Sequence, residues 1–109
     1  MVCKTLTVGA AYVPTPNISI SKLEIADTMG HPLTEPYNII EGTRVLFQVT
    51  LVNSGDAKGC VKIHSYVDGV LIERDMGSCV DAGATLIVIA EGYNGIVGTH
   101  ELCVEIVPY

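Results

Sequence analysis

The chain of 109 residues is 49 % hydrophobic, with no Trp and a single Phe, Phe47; this suffices for one domain with one core and is too apolar for a disordered polymer. Its 12 acidic and 6 basic residues give a net charge of −6 without a long run of either sign, which argues against nucleic acid and against an anionic membrane surface as partner. No stretch approaches the ~20 apolar residues of a membrane span, and Met1-Val2-Cys3-Lys4-Thr5 has neither the charged nor the apolar region of a signal peptide.

In chain order, apolar and polar residues alternate with period 2, and helical periodicity is missing. Residues 2–13 form a strand-like run rich in Val, Leu and Thr, weakened in its middle by Gly9-Ala10-Ala11. Pro14-Thr15-Pro16 follows as a stiff, extended spacer that ends ladder pairing. Residues 1–16 therefore read as an arm with its spacer, and residues 17–109 as the body. Between Asn17 and Ala26, Ile18 and Ile20 occupy one phase, Leu23 and Ile25 the other. That predicts a strand with a bulge near Ser21-Lys22, the device by which a first strand passes from one sheet of a sandwich to the other. A Pro- and Gly-containing connection over 27–42 leads to a strand over 45–52, with Val45, Phe47, Val49 and Leu51 on one face.

Val61, Ile63, Ser65 and Val67 next alternate with Lys62, His64 and Tyr66, and Asp68-Gly69 separates them from Val70-Leu71-Ile72-Glu73. Asp-Gly between alternating runs is a type I′ hairpin signal, because both central residues need positive φ. Residues 84–90 are apolar on both faces and predict a central or doubly covered strand. Over 99–107, His100, Leu102, Val104 and Ile106 alternate with Glu101, Cys103 and Glu105. Turn chemistry marks Asn53-Ser54-Gly55-Asp56, Asp81-Ala82-Gly83 and Gly92-Tyr93-Asn94-Gly95. About seven strands in one domain predict an all-β sandwich.

The four cysteines, Cys3, Cys60, Cys79 and Cys103, include no C-x-x-C pair, which points away from zinc and dithiol chemistry. Two disulfides or four free thiols are the equal alternatives. In an unbroken Asp68-Gly69 hairpin Cys60 faces Gly77, so a bulge is needed to bring it to Cys79. His31, His64 and His100 have no metal-site spacing, and no nucleophile elbow, phosphate loop or dinucleotide fingerprint occurs. Asp27, Glu41 and Asp56 lack the pattern of a calcium loop. Neither catalysis, metal nor cofactor is expected.

Three stretches carry a resemblance: residues 45–57 with their Asn53-Ser54-Gly55 turn, the Tyr66-Val67-Asp68-Gly69 hairpin, and Asp81-Ala82-Gly83-Ala84 with Gly98-Thr99-His100-Glu101-Leu102. Over residues 17–109 the chain resembles the CARDB family, the cell-adhesion-related domain of bacterial and archaeal surface proteins. The resemblance implies an immunoglobulin-like fold in a modular, non-enzymatic role, without catalytic residues. Here the connection over 29–41 is longer than in the family. Its members also continue past the Gly-Thr-His strand into one more strand, whereas this sequence stops at Val107-Pro108-Tyr109.

The expected architecture is thus an immunoglobulin-like β-sandwich whose last family strand is missing and is replaced by the N-terminal arm. Val2, Leu6, Val8 and Tyr12 would meet an edge built by Leu102, Val104 and Ile106, in the same subunit or a neighbour. An arm so seated brings Cys3 to Cys103, and the expected disulfides are Cys60–Cys79 and Cys3–Cys103. The expected function is that of a structural assembly protein, a filament protomer or a virion coat or decoration subunit, partnered by itself or by other coat subunits. It would work at an extracellular surface, in a filament or on a virus particle. An adhesion or carbohydrate-binding module is the alternative, with few aromatic rings to stack on sugars.

Overall fold

The computed structural model describes residues 1–7, 14–35, 37–74 and 77–109, with the backbone alone for Glu73, Arg74 and Glu91. Alternation sets its two central strands. β2 (Arg44–Asn53) buries Val45, Phe47, Val49 and Leu51, and β3 (Gly59–Val67) buries Ile63, Ser65 and Val67. Each strand anchors one antiparallel sheet. The first sheet has the order β1 (Ile18–Ala26), β2, β6 (Thr85–Asn94). In the second, β4 (Val70–Arg74) and β5 (Ser78–Val80) follow one another along one side of β3, and β7 (Leu102–Pro108) pairs with its other side. The protein is an all-β sandwich. Its core joins Val49 and Leu51 to Ile63 and Val80, and Phe47 to Val67 and Ala90.

Several expectations are met at the level of single residues. β1 carries its bulge between Ile20 and Lys22. The tight hairpin turns on Asp68 and Gly69, at φ 52° and 78°. Its register begins with Val67 opposite Val70 and Tyr66 opposite Leu71, then slips to Ser65 opposite Glu73. By β5 a further slip has put Cys60 opposite Cys79, and the two are joined by a disulfide.

Other expectations are corrected. β1 stays paired with β2 on both sides of its bulge instead of changing sheets. Among the described residues β6 is an edge strand: Ile87 and Ile89 point outward and are exposed, so its two apolar faces do not mark a central position. β6 also runs on to Asn94, because Tyr93 and Asn94 pair with Val45 and Arg44 beyond an irregularity; the turn expected at Gly92 starts after them. β7 begins only at Leu102, because the preceding residues are engaged by the Asp68 hairpin.

The chain measures 86 × 24 × 22 Å, with a radius of gyration of 20.4 Å, against about 13 Å for a compact body of this length. Ten-residue strands span only about 33 Å. Residues 1–7 belong to no strand and are exposed throughout, Val2 at 93 % and Leu6 at 86 %. They do not pack on their own sandwich.

Candidate functional site

The residues expected to form an acceptor edge lie where the sandwich is incompletely closed. β7 pairs with β3 along its whole length, from Leu102 opposite Val67 to Pro108 opposite Val61. Among the described residues nothing pairs with its other side. Leu102, Val104 and Ile106 point inward, yet each is only half-buried. Ile18, Ile20 and Leu23 of β1 approach the same core from the facing sheet and are half-buried too. Six aliphatic side chains therefore line a groove between β7 and β1, open to water along its margin.

The N-terminal segment is rooted at the end of the sandwich where β1 starts and β7 finishes. Thr15 N donates to Asp56 Oδ1 at 2.7 Å, and Asp56 N donates to Thr15 O at 3.1 Å. Behind them Asn53, fully buried, spends its whole side-chain capacity. Its Nδ2 donates to Ala57 O (2.8 Å) and Val80 O (3.0 Å), and its Oδ1 accepts from Asn17 N and Gly55 N (3.0 Å each). A Cβ on Gly55 would collide with Thr15 O and would stand 2.6 Å from Asn17 N, so only glycine lets the root pass so close. Of the expected arm residues, Val2 and Leu6 are exposed, while Val8 and Tyr12 lie outside the described residues.

At the opposite end the groove opens into a cavity of about 580 Å³. Leu23 and Leu102 are common to groove and cavity; Ile39, Ile40, Ile96 and Val97 come from the two flanking loops. Backbone bonds from Gly42 N to Gly95 O (2.8 Å) and from Gly95 N to Thr43 O (2.9 Å) tie these loops together. His100 fastens the second one. Its Nδ1 donates to Asp68 Oδ2 at 2.6 Å and its Nε2 to Ile96 O at 2.8 Å, with the Tyr93 ring 5.7 Å away, edge to face. Two donating ring nitrogens require the imidazolium. The bond to Asp68 accordingly raises the His100 pKa, and the same bond, aided by Glu101 N, lowers that of Asp68. Partial desolvation, reinforced by Glu35, raises the pKa of the exposed Tyr37 phenol.

Cys3 and Cys103 are free thiols, so the bond expected between them is not formed within the chain: the segment carrying Cys3 stands off the sandwich. Cys103 points outward from β7 and donates to Glu101 Oε1 at 3.3 Å, which raises its pKa. Asp56 sits at the arm's root, whereas Asp27 and Glu41 belong to the other end of the β1–β2 pair. Among the described residues no three His, Cys, Asp or Glu come together to hold a metal ion.

Sequence reasoning missed Asn53 as a buried hub and the His100–Asp68 clasp. Asn53 carried a signal, an amide side chain at the end of an apolar strand. His100 carried none, since its partner is 32 residues away. Comparison with protein families, with curated proteins and with solved structures returned no match for this chain.

Proposed function

We propose that this protein is a self-assembling structural subunit, with residues 2–13 of one copy adding as a strand to the free side of β7 in the next. The observation that carries this reading is a complementary mismatch within one molecule. Among the described residues β7 has an unpaired side and three half-buried aliphatic side chains beneath it, while Val2 and Leu6 lie in water in residues 1–7, which belong to no strand. Strand addition answers both: main-chain bonds satisfy the edge, and alternate side chains fill the groove. Burying each such side chain is worth about 1.5–3 kcal/mol when complete. Lys4 shares the inward phase, with a stem that can cover apolar surface while its ammonium reaches out.

The polarity follows from where the arm is rooted. It leaves at the end where β7 finishes, so a neighbour in the same orientation offers the cavity end, where β7 begins. Entering there, the arm runs antiparallel to β7, and repetition gives an open, head-to-tail filament. The Cys60–Cys79 disulfide suits an oxidising location, such as a cell exterior or the surface of a particle.

Electron microscopy and light scattering of the purified chain should show filaments or long oligomers. Leu6→Asp, at a position outside the packed body, should leave thermal unfolding unchanged and weaken assembly at least tenfold. A strictly monomeric chain at high concentration, or polymers indifferent to Leu6→Asp, would overturn the reading. Glycan binding by such a monomer would restore the adhesion alternative, with the CARDB-like role it implies.

A further inference from the structure

We infer that the cavity at the mouth of the groove is the seat of Tyr12 from the neighbouring copy. This rests on the assembly reading and deepens it by naming which side chain of the arm goes where.

The cavity continues the groove, since Leu23 and Leu102 line both. Its rim is apolar and wet: Ile96 is 65 % and Val97 73 % exposed, and Ile40 beside them is exposed as well. The loops that carry these side chains are already fastened to each other through Gly95 and by His100 to Asp68. Such a preformed recess costs little ordering when it is filled.

Length decides what fills it. The run from Val2 to Val13 spans roughly 40 Å when extended, and the seven residues of β7 span only about 23 Å. An antiparallel arm that covers β7 must therefore overrun the start of that strand by several residues. With Val2 opposite Ile106, Leu6 faces Leu102 where β7 begins, and the residues after Leu6 run on past the loop of residues 95–101 that lines the cavity. A slip of two residues either way moves Tyr12 by only about 7 Å along the same course.

Phase and chemistry agree. Tyr12 shares the inward phase of Val2, Leu6 and Val8, because side chains on one face recur every second residue. It is the largest side chain of the run. A tyrosine ring seats well among aliphatic walls if its hydroxyl finds a partner, and Glu35, Asn38 and Glu41 line the same cavity.

The chain contains no Trp, so Tyr12→Trp in the full-length protein reports on this position alone. On assembly its emission should move to the blue, and quenching by acrylamide should fall several-fold. Ile96→Asp, at a side chain 65 % exposed in the single copy, should reverse both changes and weaken assembly at least tenfold while leaving thermal unfolding of the monomer unchanged; Tyr12→Ala should weaken it similarly. Should filaments form with the indole still in water and unmoved by Ile96→Asp, the seat is wrong while the assembly reading stands. Should no polymer form with the wild-type chain, both fall together.

Discussion

Both ring nitrogens of His100 face oxygen acceptors, the Asp68 carboxylate and the Ile96 carbonyl, and this gives the loop at the cavity mouth a pH dependence whose sign can be worked out. The raised His100 pKa means that its contribution is complete below the value of a free imidazole and is lost as pH rises through the raised value. The lowered Asp68 pKa means that its contribution is present above the ordinary carboxyl value and is lost as pH falls through the lowered one. The clasp is therefore fully closed between about pH 4 and about pH 6.5 and opens on the alkaline side. An NMR titration of the His100 ring should give a midpoint above that of free imidazole, and Asp68→Asn should bring it down. Thermal stability should decline as pH is raised from about 6 to about 8, and less steeply in the variant. A ring titrating like free imidazole in the wild-type chain contradicts the clasp. At the same scale, Ser65 shows a core position that alternation alone does not explain: it is fully buried, and its hydroxyl has no partner among the described residues.

Between the elements, Asn53 does the joining. One side chain ties the start of β1, the turn after β2, the approach to β3 and the end of β5. Asn53→Ala leaves two part-buried donors and two acceptors, the Val80 carbonyl among them buried, without that partner and should cost about 3 kcal/mol in denaturant unfolding. Asn53→Asp should not restore stability, because a carboxylate cannot donate to Ala57 O and Val80 O. A loss below about 1 kcal/mol for both variants would show that water takes over these bonds. β6 teaches a different lesson at this scale. Its two apolar faces read as a central strand, yet Ile87 and Ile89 stand exposed on the outer face of a three-stranded sheet. Local pattern reports which side chains are apolar; only the neighbouring elements decide which of them are covered.

For the molecule as a whole, the free cysteines give a ruler for the proposed assembly. Cys3 falls in the outward phase of the arm and Cys103 points outward from β7. They meet across subunits only in the shallow register with Cys3 opposite Cys103, which leaves Ile106 uncovered. One step deeper, Cys3 stands opposite Glu105, and Leu102, Val104 and Ile106 are all covered; the extra buried aliphatic side chain is worth about 1.5–3 kcal/mol. The deeper register should win. With oxidised glutathione as the disulfide reagent, assembled Glu105→Cys protein should give a reductant-sensitive ladder on non-reducing gels that Cys3→Ser abolishes. Assembled wild-type protein should give none. A wild-type ladder abolished by Cys103→Ser would fix the shallow register instead.

Much of this architecture is legible from the residues. Period-2 alternation gives strands and their faces, the phase slip after Ile20 gives the bulge, and Asp68-Gly69 gives the hairpin. A Cys60–Cys79 bond, one of the alternatives the cysteines leave open, calls for the register slips that the hairpin contains. All of these are encoded within a few residues or along one ladder, where steric preference and side-chain alternation act directly. The tertiary structure alone decided that β6 lies at an edge, that β7 starts at Leu102, that Asn53 is a buried junction and that His100 reaches Asp68 to close one side of a cavity. Those are relations between segments far apart in the chain. They follow from which faces find cover when two sheets close on one another, a competition for burial that no local stretch of sequence records.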